Sequence, residues 1–277
     1  MDLDFLLKTI TKTARDMWDR GWAEANGGNI SLRLNPEQVE AVNHFSPKGD
    51  WIDLPESIPA LAGERFLVTG TGSFLRNIEL VPERNLGLIE LDEAGKHYRI
   101  IWGYEPAGSP TSELPAHLLS HAVIKEATNN RDHAVIHTHA PNLIALTYAI
   151  DNLSTASLSH LLWKMHAECV VVFPQGVQFI PWMMAGSLEL GIKTAESLNC
   201  CPLAVWEHHG IVGTGRNLDE AFGRIYVAEK AAEIYIKTMA AGGIKKCLSD
   251  EQIYRIAKNF NCDIDTTFLE VEADSII

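Results

Sequence analysis

Two histidines two positions apart follow a short apolar stretch in the middle of the chain. Residues 134–136 are rich in β-branched side chains, which predicts a buried strand, and they run into His137, Thr138 and His139. Side chains two apart on a strand share a face, with Cα atoms about 6.6 Å apart, so both imidazoles can reach one metal ion. The alternative is two histidines on a polar strand end.

A second pair of histidines follows another predicted buried strand, residues 203–206. His208 and His209 are adjacent, and residues 211–215 are read as continuing that strand, so at most one of the two shares a face with a metal site. Gly210 after the pair favours His209, and an assignment shifted to His208 is the alternative. Three neutral imidazoles around zinc leave a coordination position for water or substrate.

A glutamate opens the helix predicted from residue 113 to about 127. Thr111 or Ser112 is a suitable N-cap, and Pro115 lies in the first turn, where proline is tolerated. Glu113 therefore lies at the positive end of the helix, where a carboxylate simply complements the helix dipole. Beside a metal ion, the same carboxylate can act as a base.

Three turns of small residues can bind an anion through backbone N–H groups and hydroxyls. They are residues 26–29, residues 70–73 and the pair Thr111 and Ser112. The first is also an ordinary helix-to-strand turn, and none has a dinucleotide or Walker pattern. Together they suit a phosphate, which indicates metal-assisted chemistry on a phosphorylated small molecule. Hydrolysis and carbon–carbon bond chemistry both remain open at this point.

Interleaved helices and strands must position these groups, which predicts an α/β or α+β layered domain. Residues 35–63 show no period and are expected to form a long surface excursion. A hairpin is predicted around residues 92–95. The predicted strands are 30–34, 66–69, 86–91, 97–102, 134–136, 168–173 and 203–206, and the predicted helices are 3–25, 113–127, 142–150, 157–166, 187–198, 217–242 and 249–260.

Composition restricts the classes of partner. The 277 residues carry 23 basic and 36 acidic side chains, a formal charge of −13, which disfavours nucleic acid and anionic membranes. No linker divides the chain, so one domain over 1–277 is expected. The acidic start and the lack of a long apolar run predict neither signal peptide nor membrane helix. Five scattered cysteines indicate reduced thiols in a cytoplasmic protein rather than a disulfide framework or a cysteine zinc site.

Seven stretches together resemble the class II (zinc) sugar-phosphate aldolase family. They include Asn-Gly-Gly-Asn, Pro-Thr-Ser-Glu-Leu-Pro-Ala-His, Val-Ile-His-Thr-His-Ala and His-His-Gly. Each is weak alone, but together, in family order, they are specific. The stretches are residues 21–29, 68–72, 110–117, 135–140, 142–148, 168–174 and 208–210.

The resemblance implies a role for each candidate residue. His137, His139 and His209 would hold one Zn²⁺ per subunit, and Glu113 would be the catalytic acid and base. Glu168, from a neighbouring subunit, would handle the proton on the aldehyde oxygen. The phosphate would lie among six residues, with Asn29 contacting substrate or shaping its loop. Those six are Asn26, Gly28, Thr71, Gly72, Thr111 and Ser112.

The resemblance also implies a fold, an assembly and a reaction. The fold is a three-layer α/β/α sandwich around a largely antiparallel sheet, and the assembly is a homotetramer with active sites at subunit interfaces. The reaction, part of carbohydrate degradation, is retro-aldol cleavage of a ketose phosphate to dihydroxyacetone phosphate and an aldehyde. The branch that acts on L-rhamnulose 1-phosphate, with L-lactaldehyde as the aldehyde, is the most similar.

Three alternatives remain. Epimerases of the family carry Asp where this chain has Glu113, and other family aldolases act on L-fuculose 1-phosphate. Adducin-like head domains share the fold without the zinc histidines and serve binding. Metal-dependent amidohydrolases also use His-x-His, but near the start of a barrel rather than mid-chain.

Overall fold

A nine-stranded sheet is the centre of the computed structural model, which describes residues 3–269. Met1, Asp2 and residues 270–277 of the expected 1–277 domain lie outside the described residues. The strands lie in the order β2-β5-β4-β3-β1-β6-β9-β8-β7, and among the described strands only the β7–β8 pair is parallel. They are β1 (Asn29–Arg33), β2 (Lys48–Asp53), β3 (Arg65–Thr69), β4 (Leu86–Leu91), β5 (His97–Gly103), β6 (Ala134–Thr138), β7 (Gln178–Ile180), β8 (Leu203–Trp206) and β9 (Gly210–Gly215).

Helices cover both faces of the sheet. One face carries two helices packed on each other, α4 and α8, and the other carries α1, α5, α6 and α9. Among the described residues, no helix is long and apolar enough to cross a membrane. The helices are α1 (Leu3–Asp19), α2 (Pro36–Val42), α3 (Pro82–Asn85), α4 (Leu114–Ala127), α5 (Pro141–Ala149), α6 (Thr155–Met165), α7 (Ala167–Val172), α8 (Leu188–Leu198), α9 (Leu218–Ala240) and α10 (Asp250–Asn259).

Alternation along the central strands directs polar side chains toward α4. On β1, Ile30 and Leu32 pack into the large core beneath α1 and α9, whereas Ser31 faces α4. On β6, Ile136 enters the large core and Val135 the smaller core under α4 and α8. The predicted α/β/α layering around a largely antiparallel sheet is therefore confirmed.

The predicted excursion over residues 35–63 is wrong, because this segment contains α2 and β2. Asn35 caps α2 through a reciprocal capping box with Gln38, which stabilises a helix too short to show a period. All six residues of β2 are exposed, so this edge strand lacks the alternation that marks a half-buried strand.

The strand predicted over residues 168–173 is also wrong: this stretch forms α7. Its β-branched residues favour a strand, but Cys169 and Val170 pack into the large core as one face of a short helix. Tertiary packing overrides local propensity here. The three-residue strand β7, which follows it, was not predicted.

Two details near the predicted site also differ. Residues 207–209 form a turn between two antiparallel strands, rather than the middle of one continuous strand. The N-cap of α4 is Glu113 itself, not Thr111 or Ser112, although the Thr111 hydroxyl accepts a hydrogen bond from the Glu113 N–H at 3.3 Å.

Candidate metal centre and active site

Three histidines converge where β6 ends and β8 turns into β9. His137 is on β6, His139 lies just beyond it, and His209 is in the turn. Their candidate ligand nitrogens all lie within 4.8 Å of one another. The ring centroids are 4.9 to 5.2 Å apart in each pair. The arrangement suits a single metal ion with three nitrogen ligands.

Hydrogen bonds orient two of the three rings. Nδ1 of His137 lies 3.2 Å from the carbonyl oxygen of Ile211, and Nδ1 of His139 lies 2.6 Å from Oε1 of Glu24. Since both oxygens are acceptors, each Nδ1 carries the proton and donates it. Nε2 of each ring is thereby left unprotonated, the form that binds a metal.

Burial favours the neutral form of two of the three rings. Burial, followed by the charges of His139 and His209, holds the pKa of His137 well below its usual value. Burial likewise lowers the pKa of His209, with a further contribution from His139. Because a metal binds neutral imidazole, these two rings are suited to hold a cation.

Two glycines allow the rings to come this close. A Cβ at Gly27 would lie 2.8 Å from Cε1 of His139, and one at Gly210 would lie 2.5 Å from the Thr138 carbonyl oxygen. Trp206 packs against the cluster, with its ring centroid 4.4 Å from that of His137. Glycine is therefore needed at positions 27 and 210 because neither leaves room for a side chain beside the histidines.

A carboxylate borders the metal centre. Oε2 of Glu113 lies 4.0 Å from Nε2 of His137, and Asn29 donates a 2.7 Å hydrogen bond to the same oxygen. The Glu113 side chain is 11% exposed, so it combines access from the surface with fixed partners. A group so placed can exchange a proton with a metal-bound substrate.

The three predicted anion-binding turns lie at one end of the sheet. Thr111 N–H donates to the Thr69 carbonyl at 2.9 Å, and Thr71 N–H donates to Ser109 at 2.9 Å. The Thr69 hydroxyl accepts from Ile30 N–H, just after the first turn, at 3.1 Å. Among the predicted phosphate residues, Asn26, Thr71, Gly72 and Ser112 are exposed, Gly28 is half-buried and Thr111 is buried.

Glu168 is not brought into this cluster. It lies exposed on α7, where its backbone N–H donates to Nδ1 of His166. His208 is likewise outside the cluster and stacks on Tyr148, with ring centroids 4.0 Å apart.

Four residues of the site were missed from sequence. Glu24 orients His139, and Ser31, His117 and His121 form a buried group behind Asn29. Two signals were present: a serine inside an apolar strand, and two histidines four apart on one face of α4.

Residues 8–236 match the family described as the class II aldolase and adducin N-terminal domain. The chain is 42% identical over 257 residues to a rhamnulose-1-phosphate aldolase of Escherichia coli O157:H7, covering 92% of this chain and 93% of that protein. It is also 42% identical over 258 residues to a rhamnulose-1-phosphate aldolase of Klebsiella pneumoniae, with 93% of each chain covered.

Solved structures show the same fold. A sugar-phosphate aldolase from Thermotoga maritima superimposes with a TM-score of 0.74 at 33% identity, covering 86% of this chain and 96% of that one. An L-fuculose 1-phosphate aldolase gives a TM-score of 0.62 at 18% identity, covering 94% of this chain and 98% of that one, a likeness in fold alone.

Proposed function

The chain belongs to the class II aldolase and adducin N-terminal family, and we propose that it cleaves L-rhamnulose 1-phosphate reversibly to dihydroxyacetone phosphate and L-lactaldehyde. The observation that carries this proposal is the cluster of three histidines with Glu113 beside it. The likeness to rhamnulose-1-phosphate aldolases along nearly the whole chain supports the choice of sugar.

We propose zinc as the metal, one ion per subunit, held by His137, His139 and His209. The donor set fits: three neutral imidazoles, two of them oriented by an acceptor at Nδ1, match a catalytic zinc site with an open position. When bound, the ion would polarise the ketose carbonyl as a Lewis acid.

Two carboxylates of the protein would move the protons. In cleavage, Glu168 of a neighbouring subunit takes the proton from the C4 hydroxyl while the C3–C4 bond breaks. The electron pair stays on C3, and Glu113 supplies a proton to C3, which yields dihydroxyacetone phosphate. In synthesis, Glu113 removes that same proton. The contact from Asn29 supports this role because it limits the orientations of the Glu113 carboxylate.

The three turns would bind the phosphate. The proposed residues belong to turns that the hydrogen bonds around Thr69 connect: Asn26, Gly28, Thr71, Gly72, Thr111 and Ser112. Contacts to a phosphate far from the reacting carbons orient the carbonyl and lower the entropic cost of reaction.

We propose a homotetramer with active sites shared between subunits. Two exposed apolar residues border the β8–β9 turn, which carries His209. Tyr148, 70% exposed, stacks on His208, and Trp182, 60% exposed, donates its backbone N–H to the carboxylate of Glu207. A patch of this kind supports a subunit interface beside the active site. The five free cysteines suit a reducing compartment, which supports a cytoplasmic location.

Glu113 supports cleavage rather than epimerisation, because the resemblance places Asp at this position in the epimerases. The three histidines weigh against a binding domain of the adducin type.

The proposal is tested with wild-type protein and Glu113→Gln on L-rhamnulose 1-phosphate. Wild-type protein is expected to release dihydroxyacetone phosphate. The variant is expected to keep its zinc and to turn over about 100- to 10,000-fold more slowly, since it loses the proton-transfer group. Near-normal turnover by Glu113→Gln would contradict the acid–base role of this residue. Failure of the zinc-loaded wild type to cleave the sugar phosphate would contradict the proposed reaction.

A further inference from the structure

A chain of buried polar side chains runs from Glu113 into the space between β1 and α4. Asn29 donates from Nδ2 to Glu113, and its Oδ1 faces Nε2 of His117. Nδ1 of His117 lies 2.6 Å from the hydroxyl of Ser31, which lies 2.8 Å from Nε2 of His121. Five side chains are thus connected in a single line.

The inner part of this line is sealed from solvent. Ser31, His117 and His121 are 1%, 3% and 0% exposed. Burial lowers the pKa of His117 to about 4 and that of His121 well below its usual value. At neutral pH each ring is therefore neutral and carries one N–H.

The hydrogen bonds along this line all donate in the same direction, from His121 toward Glu113. The single hydroxyl proton of Ser31 can serve only one of the two ring nitrogens that face it. Within the described part of the chain, Nδ1 of His121 is buried without a hydrogen-bond partner. A bare nitrogen there costs less than an unpaired N–H, so the proton of His121 is on Nε2 and is donated to Ser31.

The remaining hydrogen bonds donate outward, toward the active site. Ser31 donates to Nδ1 of His117, and Nε2 of His117 donates to Oδ1 of Asn29. The Asn29 amide is left with its NH₂ group toward Glu113, which matches the 2.7 Å contact. A flipped amide would place Oδ1 against the carboxylate, where two acceptor oxygens would face each other with no proton between them.

We propose that His121, Ser31 and His117 are positioning residues, which hold the Asn29 amide and through it the reacting orientation of the Glu113 carboxylate. The inference rests on the proposed function, because the acid–base role of Glu113 belongs to it. All three are buried behind Asn29. They act through Asn29, as outer partners of a catalytic site commonly do.

Two variants of nearly equal shape isolate the Ser31 hydroxyl. Ser31→Thr keeps the hydroxyl and Ser31→Val replaces it with a methyl group, and both β-branched residues suit a strand. Ser31→Val is expected to lower kcat about 10- to 100-fold, with KM and zinc content close to wild type. Ser31→Thr is expected to keep most of kcat. Equal kcat values for the two variants would overturn the proposal.

A serine elsewhere controls for the general effect of losing a buried hydroxyl. Ser159 is fully buried and accepts from Val177 N–H at 2.9 Å, in a different part of the fold. Ser159→Ala is expected to lower stability and leave kcat unchanged. A fall in kcat as large as that of Ser31→Val would show that the effect is not specific to the line of hydrogen bonds.

A spectroscopic test is independent of turnover. In ¹⁵N spectra of the zinc-loaded protein at neutral pH, with signals assigned by His117→Gln and His121→Gln, both rings are expected as neutral Nε2–H tautomers. A proton on Nδ1 of either ring would overturn the proposed direction. Wild-type protein that cleaves no sugar phosphate would overturn the proposed function and this catalytic role together, whereas an active wild type with equal Ser31 variants would overturn this inference alone.

Discussion

At the residue scale, the metal centre depends on the groups that orient its histidines. The Ile211 carbonyl and the Glu24 carboxylate each hold a proton on Nδ1 of one ring, so that Nε2 faces the cluster. The carbonyl belongs to a strand and is rigid, whereas Glu24 is an exposed side chain. The ring of His139 is therefore the less firmly held of the two.

His139→Ala is predicted to lose bound metal, because two imidazoles without a third leave too few ligands to retain zinc. The measurement is metal content after gel filtration. His208→Asn is the matched control: it changes the neighbouring histidine outside the cluster, and Asn tolerates the positive φ of 60° at this position. Full zinc content in His139→Ala, or its loss in His208→Asn, would break the ligand assignment.

At the element scale, the strand that follows the His209 turn, β9, packs closely against α9. A Cβ at Gly215 would lie 2.6 Å from the backbone nitrogen of Ala221 in α9, whereas a Cβ at Gly223 meets nothing within 4 Å. Position 215 therefore has no room for a side chain, whereas position 223 does.

Gly215→Ala is predicted to lower the free energy of unfolding by about 1–3 kcal/mol through overpacking. Gly223→Ala is predicted to raise it by about 0.5–1 kcal/mol, because alanine is the better helix former. Urea unfolding at one fixed protein concentration compares them. Equal stability of the two variants would contradict the tight packing of β9 on α9.

Long periodic elements could be predicted from sequence, and short or edge elements could not. The hairpin of β4 and β5, the helix α9 and the strand β6 have clear periods or turn residues, and all three were predicted. By contrast, α7 is set by packing against the core, and β7 has only three residues. Local sequence carries little information about either.

The same distinction holds for the site. His137 and His139 were predicted from strand geometry, although β6 ends at Thr138 and His139 lies just beyond it. His209 was preferred by strand alternation, but the structure reaches the same residue through a turn, with His208 turned away to stack on Tyr148. Ser31 and His117 could not be placed, because their partners come from β1 and α4, which are distant in sequence.

At the scale of the whole molecule, the position of Glu168 bears on whether the active site is shared between subunits. It is exposed on α7, outside the histidine cluster of its own subunit, while the exposed residues Tyr148 and Trp182 border the β8–β9 turn. Both observations support an active site completed by a neighbouring subunit.

Mixing two inactive variants tests this sharing. Glu113→Gln and Glu168→Gln are each predicted to be nearly inactive. Each site would take Glu113 from one subunit and Glu168 from its neighbour. If the two variants assemble at random into one ring, about a quarter of the sites would therefore contain both glutamates and be active. Activity of doubly tagged hybrids is the measurement. Hybrids as inactive as their parents would contradict a shared site.

The most direct test of the central claim is release of dihydroxyacetone phosphate before chelation, after chelation and after zinc is restored. L-rhamnulose 1-phosphate is compared with L-fuculose 1-phosphate and L-ribulose 5-phosphate. We predict cleavage of L-rhamnulose 1-phosphate alone, lost on chelation and regained with zinc. Cleavage that survives complete removal of metal, or no cleavage of any of the three sugars by zinc-loaded protein, would contradict the account.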